Sequence, residues 1–271
     1  QVQKQLDELT DEHLMDTMCG APEVGCAAIE EEEFPRLCGD AGGEDGSCTG
    51  EFAVMFDPLD GSSNIEAGLR TGTIFGVVGT ATGNQAGRHT VLQRGDQLCA
   101  AGYCLYGGQT TLVLTLGEGA ETKFVLDPST GEFKLVDPDV RVPKHGGVIA
   151  FNEANSPGWS SPIKNYVEAL KEDADYEQRY TRRLLADVHN VLHRGSIFGY
   201  PADTSNAQGK LCLLYEGNPL AMIFEQAGGA ATDGYKDILD VQPVSTHHRT
   251  PFFFGSAGNI QDLGRHLQEG L

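Results

Sequence analysis

The sequence lacks any apolar run long enough to span a membrane, which sets aside a helical membrane protein. It shows no basic start, short apolar core and small-residue cleavage site, so no signal peptide is read. It opens on Gln1 rather than Met, so a natural N-terminus further upstream is expected. Any targeting segment would lie there too. Basic residues are scarce: 19 Lys and Arg stand against 39 Asp and Glu, for a formal net charge of -20. That balance argues against nucleic acid and anionic membrane as partners. It leaves room for a small anionic substrate, because a few nearby cations outweigh distant charge beyond a Debye length of about 8 Å. No two of the seven cysteines (Cys19, Cys26, Cys38, Cys48, Cys99, Cys104, Cys212) are spaced as C-x-x-C. The odd count and the chain length favour reduced thiols in an intracellular compartment over a disulfide scaffold. The weaker alternative is a regulatory disulfide between Cys38 and Cys48, which flank the loop "GDAGGEDGS". There is no internal repeat, no low-complexity tract and no Pro/Ser-rich linker.

The 271 residues, 39% of them hydrophobic, suffice for one large domain or two fused lobes with a sizeable core. Residues 3–18 read as a helix with Leu6, Leu9, Leu14, Met15 and Met18 near one face. "FAVMF" (52–56) is a short continuous apolar run, typical of a strand covered on both faces, and "TIFGVVGT" (73–80) reads as its neighbour. "TTLVLTL" (110–116), "KFVLD" (123–127) and "EFKLV" (132–136) read as strands, the last two joined by the turn "PSTG". The second half alternates: strand 147–151, helix 163–171, helix 182–194 closed by Gly195, strand "SIFGY", and a helix over 210–227 bent at Pro219. The alternation predicts an α/β protein of layered sheets and helices, with lobes 1–140 and 141–271.

The stretch "FDPLDGSSNI" (56–65) carries the chemistry. Asp57 is expected to end a strand, Pro58 to stop its ladder, and Asp60 to fold back beside Asp57. Gly61 lets the backbone approach a ligand, and Ser62, Ser63 and Asn64 look like a helix start, where unpaired amides receive anions. At about 4 Å and an effective dielectric near 20, each like-charged pair costs on the order of 4 kcal/mol. A divalent cation removes that cost. A bare D-x-x-D reads more readily as a solvated turn. The attached "GSSN" and the upstream "EEEE" (30–33) shift the reading to metal. The donors are oxygens, with no His or Cys close in sequence, which points to Mg²⁺ or Mn²⁺ rather than Zn²⁺. Metal beside an anion site implies metal-assisted phosphoryl transfer.

"DPLDGSSNI" resembles the signature of the fructose-1,6-bisphosphatase family, within the inositol-monophosphatase-like superfamily. Resemblance extends to "QKQLDELT" (3–10), "IEEEEFP" (29–35), "TGTIFGVVG" (71–79), "AAGYCLYG" (100–107), "FNEAN" (151–155), "RYTRRLLADVH" (179–189), "GYPAD" (199–203), "GKLCLLYEGNPLA" (209–221) and "EQAGG" (225–229). It implies a layered α/β/α/β/α sandwich and a Mg²⁺-dependent sugar bisphosphatase with two or three cations, Mn²⁺ being the alternative. By resemblance, Asp57, Asp60, Glu216, Glu30 and the Leu59 carbonyl are metal ligands. Glu31 joins them as a ligand and lies near the attacking water, and Asp7 is a mobile-loop acid required for activity. Gly61, Ser62 and Ser63 with Asp60 line the reacting phosphate, and Asn152, Tyr180, Tyr200 and Lys210 bind the distal one. Arg179 reaches in from a neighbouring subunit, which implies a dimer or tetramer. A cytoplasmic or plastid setting follows from the same likeness.

Two positions depart from the family pattern: Arg182-Arg183 replaces Gly-Ser or Gly-Gly, and Asn155 stands where Tyr is common. "RYT" resembles the sedoheptulose-1,7-bisphosphatases, whereas "GYPAD" and "GKLCLLYEGNP" resemble the fructose enzymes, so both substrates stay open. An inositol-phosphate-type monophosphatase and a catalytically dead sugar-phosphate-binding regulator are the alternatives. His189 and His193, four apart, and His247-His248 are read as packing or surface residues rather than ligands.

Overall fold

The computed structural model describes residues 2–38, 50–80, 88–117, 119 and 121–269. Its first element is α1 (Val2–Cys19), followed by β1 (Val24–Ile29) and β2 (Arg36–Leu37). Then come β3 (Phe52–Asp60), β4 (Thr71–Gly79), β5 (Leu98–Tyr106), β6 (Thr111–Thr115), β7 (Glu121–Asp127) and β8 (Glu132–Asp137). These strands form one sheet in the order β2-β1-β3-β4-β5-β6-β7-β8, in which only β1 and β3 run parallel.

The rest of the chain supplies β9 (Val148–Phe151), α2 (Ser161–Glu172), β10 (Glu177–Gln178), α3 (Leu184–Arg194), β11 (Ser196–Tyr200), β12 (Leu211–Cys212), α4 (Asn218–Gln226), β13 (Gly229–Thr232), β14 (Arg249–Thr250), β15 (Phe252–Ser256) and α5 (Ala257–Glu269). A second sheet runs β10-β9-β11-β15-β13, and β12 pairs with β14 in a small ribbon. Helix α1 packs on β1 and β3, α3 and α4 lie between the two sheets, and α2 and α5 cover the far face of the second. The result is the expected α/β/α/β/α sandwich.

Strand β3 shows why its run is continuously apolar. Ala53 and Met55 join the large core against α3 and α4, while Val54 and Phe56 join the small core against α1. Successive side chains point to opposite faces, and both faces are covered.

Several expectations need correction. Leu6 and Leu9 are 38% and 62% exposed, because α1 docks through its second half, with Met15 buried. Pro58 does not end β3. A bulge between Asp57 and Asp60 takes it out of the ladder, and pairing resumes at Asp60 opposite Gly72. The helix expected over 182–194 begins at Leu184, with Arg183 as its N-cap and Arg182 at φ 62°. Residues 210–227 form three elements: β12, a π-helical turn (Leu213–Gly217) and α4. Pro219 sits in the first turn of α4, where no amide partner is lost. Cys19 and Cys38 form a disulfide, against the all-reduced reading. Cys48, and with it the Cys38–Cys48 pairing, lies outside the described residues.

Candidate active site

The parallel pairing of β1 and β3 sets Ile29 opposite Phe56. One residue further along each chain segment come Glu30, just past β1, and Asp57, still paired with Ile74 in β3. The β3 bulge then turns the chain so that Asp60 follows. Its shape is fixed locally: the Leu59 amide donates to Asp57 Oδ1 at 3.0 Å, and the Thr73 hydroxyl donates to the Pro58 carbonyl at 2.8 Å. Gly61 completes the turn at φ 80°, a backbone conformation costly for any residue with a Cβ. From the second half of the chain, the Leu185 amide at the start of α3 donates to Asp60 Oδ2 at 3.1 Å. The π-helical turn brings Glu216 in, where the Cys212 amide donates to its Oε2.

Carboxylate oxygens of Asp57, Asp60 and Glu216 lie within 4.8 Å of one another, and so do the donor atoms of Glu30, Cys212 and Glu216. Burial, then Asp60, Glu30 and Glu216, push the Asp57 carboxyl well above its ordinary range. Burial raises Asp60 to about 6, against the pull of the Leu185 amide. Burial and Glu30 likewise raise Glu216 well above the usual range. Acids this close and this buried either take up protons or share a cation. The oxygen set of Asp57, Asp60 and Glu216 fits a hard divalent cation.

A cleft of about 690 Å³ opens over these acids. Its walls include Glu30, Glu31, Asp57, Leu59, Asp60, Gly61, Ser62, Ser63 and Glu216 on one side of the chemistry, and Asn152, Tyr180, Tyr200 and Lys210 from the second half. Lys210 Nζ stands 5.8 Å from the centre of the Tyr200 ring. The exposed Glu31 carboxyl is shifted upward by burial, Glu30 and Asp7, with His247 opposing. Asp7, on α1, does not line the cleft, and neither does Arg179, whose guanidinium donates to Glu177 at 2.7 and 2.8 Å. Another cleft of about 710 Å³, near Arg94, Tyr235 and Asp237, holds no comparable acid cluster among the described residues.

Sequence reasoning missed two residues here. Buried Asp187 accepts from the Thr181 amide at 2.9 Å and hydroxyl at 2.8 Å, and from the Arg183 amide at 3.3 Å, holding the segment that carries Arg182 into the cleft. Cys212 points its thiol at Glu30. Its spacing from Glu216 was the available signal, but the segment read as an uninterrupted helix. His189 Nδ1 bonds the Tyr103 hydroxyl at 2.6 Å, His193 Nε2 meets Lys123 Nζ at 2.9 Å, and His247 Nε2 meets the Glu32 carbonyl at 3.1 Å.

Residues 1–138 match the family described as fructose-1-6-bisphosphatase, N-terminal domain, and residues 142–268 match its C-terminal domain. The chain is 38% identical over 98% of its length to the chloroplastic fructose-1,6-bisphosphatase 1 of Arabidopsis thaliana, of which it covers 66%. It is 40% identical over 96% of its length to the cytosolic fructose-1,6-bisphosphatase of Solanum tuberosum, of which it covers 76%. The crystal structure of Leishmania major fructose-1,6-bisphosphatase in holo form superposes with a TM-score of 0.90 at 34% identity, over 97% of this chain and 83% of that one. The chain therefore belongs to the fructose-1,6-bisphosphatase family, whose members are phosphatases, that is, phosphoric monoester hydrolases.

Proposed function

We propose that the chain hydrolyses the 1-phosphate of a ketose bisphosphate, fructose 1,6-bisphosphate or sedoheptulose 1,7-bisphosphate, with Mg²⁺ bound at the acid cluster. One observation carries this reading: a single cleft joins the buried acids to a separate set of donors, Asn152, Tyr180, Tyr200 and Lys210. Acids alone suit any metal-dependent phosphatase. The second donor set suits a substrate with two phosphates.

Asp57, Asp60, Glu216, Glu30 and the Leu59 carbonyl would hold two or three cations. Ions held there would supply charge neutralisation at the phosphoryl group and a lowered pKa of water. The chain's own groups do the rest. Gly61 and Ser62 receive the reacting phosphate through backbone amides. Glu31 stands at the cleft wall as the acceptor of the water proton, and Asp7 acts on it through charge. Lys210, the two phenols and the Asn152 amide hold the distal phosphate.

Arg179 would complete the distal site of a neighbouring subunit in a homo-oligomer. It is exposed and adjacent to Tyr180, yet absent from its own cleft wall. The apolar side chains Phe133, Leu135 and Val136 exposed on β8 offer surface for such an assembly. The chloroplastic and cytosolic relatives support an intracellular setting. Among the described residues no helix is long and apolar enough to cross a membrane.

Arg182 lines the cleft and Arg183 does not, so one arginine of the pair can touch the sugar. That leaves a pocket different from one walled by glycine and serine, and it favours testing the seven-carbon substrate beside the six-carbon one. The experiment is phosphate release from fructose 1,6-bisphosphate, sedoheptulose 1,7-bisphosphate and inositol 1-phosphate, with Mg²⁺ and with excess chelator. Release from either bisphosphate in Mg²⁺ alone is expected. Preference for inositol 1-phosphate, full turnover in chelator, or no turnover would overturn the proposal.

A further inference from the structure

Cys212 ends the short strand β12, and two contacts fix its direction. Its cross-strand neighbour on β14 is Arg249, and the following amide, Leu213, donates to the His248 carbonyl at 2.8 Å. The thiol is thereby held with no solvent exposure and aimed into the acid cluster. Its Sγ lies 3.4 Å from Glu30 Oε1, and its own amide donates to Glu216 Oε2 at 2.5 Å. Both the main chain and the side chain of one residue therefore address the acids assigned above to metal.

The donor atoms of Glu30, Cys212 and Glu216 lie within 4.8 Å of one another, close enough to converge on one ion. Asp57, Asp60 and Glu216 meet the same condition, so Glu216 belongs to both groups. Two positions bridged by one carboxylate is the usual layout of a two-metal site. The two positions differ in chemistry. One offers oxygen alone and suits Mg²⁺. The other offers two carboxylates and a sulfur, three protein ligands, and suits softer cations.

We propose that Cys212 Sγ is a metal ligand, and that Glu30, Cys212 and Glu216 form a mixed oxygen–sulfur position that takes Zn²⁺ or Co²⁺ ahead of Mg²⁺. This rests on the acid cluster being the metal site of the proposed function. As the metal–sulfur bond forms, the thiol proton passes to solvent. The ion stays divalent and nothing is oxidised. Arg249, across the ribbon from Cys212, donates from its guanidinium to the Lys210 carbonyl.

The test uses the full chain stripped of metal. One equivalent of Zn²⁺ is added, and zinc-edge X-ray absorption is read on the wild type, which needs no variant to fold. A Zn–S shell near 2.3 Å is expected. In parallel, Co²⁺ titration should give a sulfur-to-cobalt charge-transfer band in the near ultraviolet. Cys212→Ser should remove that band and lower Zn²⁺ affinity by at least about tenfold, with Mg²⁺ affinity changed much less. Cys99→Ser and Cys104→Ser should leave it in place. A zinc shell of oxygen and nitrogen only, or a cobalt band that survives Cys212→Ser, would overturn the assignment while leaving Mg²⁺-dependent phosphatase activity intact. Absence of any divalent binding to the wild type would overturn it together with the metal reading it rests on.

Discussion

The backbone amide of Leu185 donates to Asp60 Oδ2 at 3.1 Å, joining the start of α3 to the bulge of β3. The positive end of a helix from one half of the chain thus faces an acid from the other. The turn in front of that helix is held by Asp187 and carries Arg182 into the cleft. Asp187→Ala leaves the Thr181 and Arg183 amides without their acceptor. A stability loss of about 1–3 kcal/mol is expected, with a raised KM for the sugar phosphate and a smaller change in kcat. Calorimetry and steady-state kinetics read the two effects. An unchanged KM would mean the turn keeps its shape without Asp187.

Asp57→Asn should lower phosphatase activity by at least about a thousandfold, the equivalent of several kcal/mol. The fold should survive, because the native carboxyl is already pushed toward its neutral form by burial and by Asp60. Circular dichroism and Mg²⁺-induced change in Tm check both halves. The wild type should gain Tm with Mg²⁺ and the variant should gain much less.

Lys210→Ala should raise KM for a bisphosphate far more than for a monophosphate ester. Lys210 belongs to the donor set of the second half of the chain, beside Tyr200. Equal losses on both substrates would place Lys210 at the reacting phosphate instead.

Glu121 is buried at 0% exposure, and neither carboxyl oxygen has a partner. Burial raises its carboxyl to about 9, with Arg141 opposing. The folded value lies above the unfolded one, so folding takes up a proton between about 4.5 and 9. The stabilising influence of the neutral form is complete below the lower value and is lost as pH rises through the upper one. The expected slope is roughly 1.4 kcal/mol per pH unit across that window. Glu121→Gln should remove it, raising Tm at pH 8 and leaving pH 5 nearly unchanged. Parallel Tm profiles for the two proteins would contradict this.

The Cys19–Cys38 bridge ties the end of α1 to the residue after β2, so it closes the segment that contains Glu30 and Glu31. With a sequence separation of 19, the chain-entropy account gives about 3 kcal/mol. Cys38→Ser, or reduction, should lower Tm by roughly 6–12 °C for a chain of this size. Peptide mapping under non-reducing conditions reads the pairing directly. A Tm indifferent to reductant would exclude the bridge.

The sequence by itself determined the parts that depend on local chemistry. The apolar run at 52–56 read as a strand covered on both faces, and β3 is one. "DPLDGSSN", taken with the upstream "EEEE", pointed to a cation beside an anion, because acids and an anion held on free amides at one bend repel less with a divalent ion between them. The α/β class followed from strands and helices that alternate in the second half, whereas the first half after α1 is a run of strands. The tertiary structure decided what depends on distant partners. Whether β3 stops at Pro58 or runs on to Asp60 depends on Gly72 of the neighbouring strand, which no local pattern reports. The expected helix over 210–227 becomes strand, π-helical turn and helix because β14 captures Leu211 and Cys212. That capture turns the Cys212 thiol toward Glu30, 182 positions away in the chain. The exposure of Leu6 and Leu9 follows from where α1 meets the sheet, not from its own periodicity. Short-range propensity is a weak force of tenths of a kcal/mol per residue, and contacts made across the fold outweigh it wherever the two disagree.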